Sequence, residues 1–117
     1  MVKNMKKIEA IIKPSKLSNV KDALHEIGLS GMTVSDVKGF GRQRGQDGGL
    51  NSSPDYDDEF RVKIKIELIV GNKIVEKALE AIKNAAYSGK IGDGKIFIYN
   101  IEQVIRIRTG EKDSDAV

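Results

Sequence analysis

The chain has 117 residues, a formal net charge of +3 and no cysteine. Its length predicts one domain, residues 1–117. The small net charge does not require nucleic acid as a partner, and the lack of cysteine excludes disulfides and thiol chemistry. No apolar run approaches the ~18 residues that span a membrane, and the first residues lack the apolar core of a signal peptide. We therefore expect a cytoplasmic protein.

The first part of the chain has the pattern of a strand followed by a helix. Residues 5–12 alternate between apolar and polar side chains, which predicts a strand that Pro14 ends. Apolar residues then recur at helical spacing as far as Ile27. Two serines could cap this helix and two glycines could end it: Ser15 or Ser18, and Gly28 or Gly31.

A long polar stretch separates the next two predicted strands. Residues 32–37 alternate and lead into a turn that contains two glycines, and residues 60–70 form the clearest strand of the chain. Between them, residues 46–59 contain five acidic side chains and have no apolar face. A loop of this length inside a compact domain is usually functional or disordered.

The last part of the chain predicts a helix, a glycine-rich loop and a final strand. Residues 74–86 have the apolar spacing of a second amphipathic helix. The final strand is predicted over residues 95–99 and again over residues 104–108, with Arg106 and Arg108 on one face. The tail, residues 112–117, is expected to be mobile.

The predicted order is βαββαβ, which is typical of an α+β ferredoxin-like fold. Two helices would cover one face of a four-stranded antiparallel sheet. Several apolar residues would remain on the open face, which suggests that another subunit buries it.

The glycine-rich loop, residues 88–95, is a candidate phosphate site. It holds three glycines and two lysines. Glycines let backbone N–H groups converge on an anion without Cβ clashes. It is not a P-loop, because Ile96 stands where Ser or Thr would bind Mg²⁺ and because the order is helix, loop, strand. The alternative is a flexible connection that needs positive φ.

Further cationic groups could converge on the same ligand. Arginine forks such as those of Arg106 and Arg108 suit phosphate oxygens, although arginines on an edge strand can also be solvated. Lys63 follows the long loop, and the Gln43 carbonyl before it could bind Mg²⁺. Residues 38–41 resemble the start of an RNA-recognition signature, but the aromatic residues that stack on bases are missing, so we expect no nucleic-acid partner.

Five segments together resemble the PII signal-transduction family, the trimeric sensors of ATP, ADP and 2-oxoglutarate. They are residues 7–14 (KIEAIIKP), 31–34 (GMTV), 37–43 (VKGFGRQ), 85–97 (AAYSGKIGDGKIF) and 104–111 (VIRIRTGE). They cover nearly all of the chain outside the long loop, in the family's order.

The resemblance implies a homotrimer with three nucleotide clefts between subunits, and ATP or ADP as effectors. The nucleotide-binding residues that it implies are Thr33, Gly41, Arg42, Gln43, Glu67, Gly92, Asp93, Gly94, Lys95, Arg106 and Arg108. Thr33 would lie near the adenine, Glu67 near the ribose, and one of the two arginines would come from the neighbouring subunit. Gln43 would hold Mg²⁺ between ATP and 2-oxoglutarate, and Lys63 would pair with a carboxylate of 2-oxoglutarate.

Residues 46–59 would be the T-loop, which docks on a protein target. The implied targets are an ammonium transporter, another transporter subunit or a metabolic enzyme, with membrane association through a transporter. Tyr56 falls at the family's modifiable tyrosine, but its flank is acidic, and Ser52 stands where many members have the arginine that plugs ammonium channels. These differences favour another target, one with a basic docking surface.

The resemblance implies a non-enzymatic regulator, most simply of nitrogen metabolism. The alternative is a small phosphohydrolase or phosphotransferase on the same fold, which could use the same glycine loop and arginines. Against it, the sequence places no nucleophile, general base or carboxylate pair beside the phosphate site.

Overall fold

The computed structural model describes residues 5–40, 61–113 and 116–117. The predicted T-loop therefore lies outside the described residues. So do four residues of the predicted sites: Gly41, Arg42, Gln43 and Tyr56.

Within the described residues, the chain forms four strands and two α-helices. The strands are β1 (Met5–Ile12), β2 (Thr33–Gly39), β3 (Arg61–Gly71) and β4 (Lys95–Ile101), and the helices are α1 (Leu17–Glu26) and α2 (Val75–Ala86). The strands form one sheet in the order β2-β3-β1-β4, and every neighbouring pair is antiparallel. This topology confirms the predicted βαββαβ ferredoxin-like fold. None of the described helices is long and apolar enough to cross a membrane.

The core lies between one face of the sheet and the two helices. β1 from Ile8 and β3 from Ile64 bury every second side chain, as the alternating sequence predicts. The helices bury a stripe that includes Val20 and Leu24 of α1 and Ala78 and Ile82 of α2. Among the described residues, the buried set is entirely hydrophobic, so the chemistry of the molecule lies outside the core.

The predicted serine cap of α1 is wrong, whereas the predicted glycine end is confirmed. Pro14 begins a 3₁₀ turn (Pro14–Lys16) that runs directly into α1, and neither start uses a side-chain cap. Proline has its φ preset for a helical turn and has no N–H that needs a partner, so it can start the helix without a serine. At the other end, Gly28 has φ +91° and the Leu29 N–H donates to the Leu24 carbonyl at 3.0 Å, which is the Schellman end that glycine favours.

The predicted continuation of the last strand over residues 104–108 is also wrong. β4 ends at Ile101, and the following segment folds onto the chain's own tail. Ile105 forms an isolated antiparallel bridge with Lys112, and Gly110, at φ +73°, donates its N–H to the Arg106 carbonyl at 2.7 Å. Alternation alone cannot separate a sheet strand from one arm of a local turn, because both are extended.

Candidate functional site

The glycine-rich loop lies at one end of the sheet, where four strand ends meet. Ile11 near the end of β1 is the register partner of Lys95 at the start of β4, and Gly39 at the end of β2 pairs with Arg61 at the start of β3. Ile12 and Ile64 pair at the same end. The antiparallel order therefore brings the loop between α2 and β4 close to Phe40 and Arg61, the described residues before and after the segment 41–60.

A cavity of about 560 Å³ opens at this end of the sheet. Its lining includes four basic residues, two aromatic residues and the backbone of the glycine loop. These six side chains belong to Arg61, Lys63, Lys90, Lys95, Phe40 and Phe97. Cationic groups around exposed glycine backbone are suited to a ligand that carries several negative charges.

Gly94 allows the loop to press against the end of β1. Its φ is +103°, and a Cβ built on it would lie 1.7 Å from the Ile11 carbonyl oxygen. No other residue has both the conformation and the space for this position. The close approach fixes the path of the loop into β4, whose first residue, Lys95, lines the cavity.

Asp93 holds the loop together from within. Its Oδ2 accepts hydrogen bonds from the backbone N–H groups of Ser88 at 2.8 Å and Gly89 at 2.9 Å, and its Oδ1 accepts one from the Ser88 hydroxyl. Lys13, which follows β1, lies 3.3 Å from Oδ1 and donates to Ser88 Oγ at 3.1 Å. Partial burial opposes ionisation, but the hydrogen bonds from Ser88, Gly89 and Lys13 outweigh it and hold the pKa of Asp93 far below its usual range.

Lys63 reaches the loop from β3. Its Nζ donates to the carbonyl oxygen of Gly92 at 3.0 Å. Lys63, which the family resemblance would pair with a carboxylate of 2-oxoglutarate, therefore lines the cavity and contacts the glycine backbone.

Thr33 and Glu67 lie elsewhere: Thr33 begins β2, and Glu67 lies in the middle of β3. They are register partners and line a second cavity of about 410 Å³. Glu67 is 2.7 Å from Lys7, and the hydrogen bond between them lowers the pKa of Glu67 and raises that of Lys7. Thr33 and Glu67 are six residues along their strands from Gly39 and Arg61, which is roughly 20 Å at the rise of a β-strand.

Neither Arg106 nor Arg108 is among the described residues that line the first cavity. Arg106 is turned to the tail: its Nη1 lies 3.2 Å from Glu111 Oε1 and its Nη2 donates to the Ala116 carbonyl at 3.5 Å. Arg108 is exposed. Within one chain, the predicted nucleotide residues that the structure describes therefore fall into separate groups, and only residues 92–95 and Lys63 meet at the glycine loop.

The sequence patterns predicted no role for Lys13 or Arg61, and they included Ser88 and Phe40 only as members of the glycine-rich loop and of the turn after β2. A usable signal was present, because in this fold the end of β1 lies beside the start of β4. A charged residue directly after β1 should therefore meet the loop directly before β4. No group of three or more His, Cys, Asp or Glu side chains that could hold a metal occurs in the part of the chain that the structure describes, and the predicted magnesium ligand Gln43 lies outside it.

The chain is similar to known members of one protein family. The family model described as nitrogen regulatory protein P-II matches residues 5–111. The nitrogen regulatory protein P-II of Rhodospirillum rubrum is 59% identical over 97% of this chain and 100% of its own length, and that of Azospirillum brasilense is 56% identical over the same shares. A crystal structure of Arabidopsis thaliana PII bound to citrate superimposes with a TM-score of 0.80 and 39% identity, and the match covers 97% of this chain and 92% of the other.

Proposed function

Because the chain belongs to the nitrogen regulatory protein P-II family, we propose that it senses ATP or ADP and reports the bound nucleotide to a protein target. The observation that carries this proposal is the position of the first cavity. Its lining includes four basic residues, the glycine backbone, and both residues that flank the segment 41–60, Phe40 and Arg61.

The basic lining supports a polyphosphate as the ligand. Residues 92–95 would bind its oxygens through backbone N–H groups, and Lys90 and Lys95 would add positive charge. Phe97 supplies an apolar surface beside these groups. This combination suits a nucleotide better than a free phosphate.

The separation of the two cavities supports a site shared between copies of the chain. A nucleotide at the glycine loop would need the groups around Thr33 and Glu67 from a neighbour, since within one chain they lie roughly 20 Å away along the strands. Arg106 or Arg108 would reach the phosphates from a neighbour in the same way. The homotrimer that the family resemblance implies would provide three such clefts.

The flanks of the segment 41–60 support a regulatory output. A ligand that contacts Phe40 at one flank and Arg61 at the other would favour some conformations of the intervening segment over others. Such coupling requires the ligand to bind those conformations with different affinity. The segment includes the predicted T-loop, residues 46–59, through which a transporter or a metabolic enzyme would be bound.

Lys63 supports a second, carboxylate effector such as 2-oxoglutarate. The Arabidopsis relative was solved with citrate, a polycarboxylate, and Lys63 lies at the glycine loop, within reach of a ligand beside the phosphates. Gln43 would supply an oxygen to Mg²⁺, which prefers such ligands. We propose the nucleotide first and 2-oxoglutarate with Mg²⁺ as dependent on it.

A regulatory role fits the site better than phosphohydrolase chemistry. Among the residues that the structure describes, the carboxylate in the glycine loop is that of Asp93, whose lowered pKa makes it a weak general base at neutral pH. Its oxygens also accept hydrogen bonds from the loop itself. Turnover of ATP above about 1 s⁻¹, the low end of typical enzymes, would contradict this part of the proposal.

Calorimetric titration with ATP and ADP tests the proposal. The wild-type chain should bind at least one of them, and Lys95→Ala combined with Arg106→Ala should weaken binding at least tenfold, because each charge-assisted hydrogen bond contributes about 1.5–3 kcal/mol. Lys77→Ala, an exposed lysine of α2, is the matched control and should leave affinity unchanged. Absence of binding by the wild-type chain, or full binding by the double variant, would exclude nucleotide sensing at this site.

A pull-down from host lysate tests the output. The immobilised chain is incubated with ATP, with ADP, or with Mg-ATP and 2-oxoglutarate. A target that is retained in one condition and released in another would support regulation by the bound effector. Identical eluates in all three conditions would contradict it.

A further inference from the structure

Building on the proposed nucleotide site, we infer that Lys13, Ser88 and Asp93 form a clasp that positions the glycine loop for the phosphate groups. In this role Asp93 acts on the ligand through the backbone that it holds. Lys13 acts through Asp93. Both are therefore positioning residues.

The first part of the argument is that Asp93 joins the two ends of the loop. Its carboxylate lies in the second half of the loop and accepts hydrogen bonds from the N–H groups of Ser88 and Gly89, which begin the loop. The Ser88 hydroxyl adds a third hydrogen bond to the same carboxylate. Residues 88–93 are therefore closed into a ring by one side chain.

The ring fixes the backbone that faces the cavity. Gly92 and Gly94, on either side of Asp93, both line the 560 Å³ cavity and have φ of +102° and +103°. Glycine reaches many other conformations at little cost, so these two residues alone would not keep their N–H groups aimed at a ligand. The hydrogen bonds of Asp93 close the ring around Gly92, and the close approach to the Ile11 carbonyl restrains Gly94. Both restraints act before the ligand arrives, which lowers the entropic cost of binding.

Lys13 makes the clasp compatible with an anionic ligand. A carboxylate in the middle of a phosphate loop would repel the phosphates, and Lys13 offsets its charge at 3.3 Å. The two side chains are only 20% and 23% exposed, so solvent screens this pair less than a fully exposed one. With the charge of Asp93 offset, the electrostatic potential in the cavity is dominated by the four basic residues that line it.

The position of Lys13 makes it a specific support for this loop. It follows β1 directly, and its ammonium contacts both Asp93 and Ser88. Lys63 holds the Gly92 carbonyl from the cavity side. Two lysines, Lys13 after β1 and Lys63 in β3, thus hold the loop from two directions, one through the clasp and one through the backbone.

Calorimetric titration of ATP into four clasp variants tests the inference. Asp93→Asn should bind ATP about tenfold or more weakly than the wild type, because the hydrogen bonds of an ionised acceptor are lost. Lys13→Met should weaken binding at least about threefold, and Lys13→Arg, which keeps the charge and a donor, should stay within about twofold. In the Asp93→Asn background, Lys13→Met should weaken binding by less than it does in the wild type, because only the contact of Lys13 with Ser88 at 3.1 Å is left to lose. Asp22→Asn on α1 is the control for the charge change.

Hydrogen exchange provides a second measurement that does not depend on nucleotide. The amides of Ser88 and Gly89 should exchange faster in Asp93→Asn than in the wild type, while amides of β1 and β3 should not change. Lys13→Met keeps the backbone hydrogen bonds of Asp93, so it remains informative even where Asp93→Asn fails to fold.

The outcomes separate this inference from the proposed function. A wild-type chain that binds neither ATP nor ADP overturns both. A wild type that binds ATP, with Lys13→Met and Asp93→Asn both within twofold of it, overturns the clasp alone. A Lys13→Arg variant as weak as Lys13→Met overturns the charge-offset role of Lys13. Losses in the stated order, with rescue by arginine and a less than additive loss in the double variant, support the clasp.

Discussion

Gly94 occupies a position where a single methyl group would collide with the backbone. In Gly94→Ala the new Cβ would lie 1.7 Å from the Ile11 carbonyl oxygen, and the residue would keep a φ near +103° unless the loop moved. We expect the free energy of unfolding to fall by at least about 3 kcal/mol, from the strained φ together with the displacement of the loop or of β1. Urea unfolding followed by circular dichroism measures this change.

Two other glycines separate the collision from the cost of positive φ. Gly110 has φ +73° with nothing near its Cβ position, and Gly31 has neither a positive φ nor a near neighbour. Gly110→Ala should cost about 1–2 kcal/mol and Gly31→Ala should stay within about 0.5 kcal/mol of the wild type. Equal unfolding midpoints for Gly94→Ala and Gly110→Ala would show that the contact with Ile11 does not constrain the loop.

Asp93 should give the fold a dependence on acid pH. The pKa of its carboxyl in the folded chain lies well below the usual value of 3.8, so the ionised carboxylate stabilises the fold above about pH 4, and this stabilisation is lost progressively as the pH falls further. Asp93→Asn cannot titrate. The difference in free energy of unfolding between the wild type and Asp93→Asn should therefore be constant from pH 7 to pH 5 and should shrink below about pH 4. A difference that stays the same down to about pH 2 would contradict the lowered pKa.

At the scale of elements, the strands and helices could be predicted because their hydrophobic periods are regular. β1 and β3 bury alternate side chains and α2 buries a helical stripe, so period alone indicates type and face. The loop before β4 could be predicted from its three glycines, which all have positive φ, whereas phosphate binding by residues 92–95 stays a prediction. Hydrophobic period and glycine content can both be read from residues that are close together in the sequence.

What could not be predicted depends on partners that are distant in sequence. The alternation of residues 104–108 is real, but the segment pairs with Lys112 and Glu111 of the tail instead of extending β4. Lys13 and Asp93 are eighty residues apart, and no local pattern joins them; only the antiparallel pairing of β1 with β4 does. The serine cap failed for a different reason, because Pro14 already starts the helical turn.

The turn after β4 keeps Arg106 in an ion pair that a phosphate would have to compete with. Its guanidinium lies 3.2 Å from Glu111 in an exposed setting, where such pairs contribute roughly 0–1 kcal/mol. If Arg106 binds the nucleotide of a neighbouring chain, Glu111→Gln should tighten ATP binding by up to about fivefold. Glu102→Gln, an exposed residue of the segment between β4 and the turn, makes the same charge change and should have a smaller effect. Weaker binding by Glu111→Gln would mean that Glu111 orients Arg106 for the ligand instead of competing with it.

At the scale of the whole molecule, one chain carries two halves of the proposed site six residues apart along β2 and β3. The glycine loop and its basic residues form one half, and the cavity of Thr33 and Glu67 forms the other. Since roughly 20 Å separates them along the strands, a nucleotide that touches both must lie between two chains. We expect light scattering to give a particle three times the 12.9 kDa of one chain.

Mixed trimers test whether the two halves belong to one shared site. Lys95→Ala should disable the first half, and Thr33→Trp should fill the second cavity; trimers made of either variant alone should bind ATP at least about tenfold more weakly than the wild type. A trimer that contains both variants has one interface where the intact glycine loop of the Thr33→Trp chain meets the intact second half of the Lys95→Ala chain. Calorimetry on trimers unfolded and refolded as a mixture should therefore recover sites of wild-type affinity, at a fraction set by the mixing ratio. If both halves served a ligand within one chain, every chain in the mixture would carry a defect, and refolding the two variants together would restore no binding.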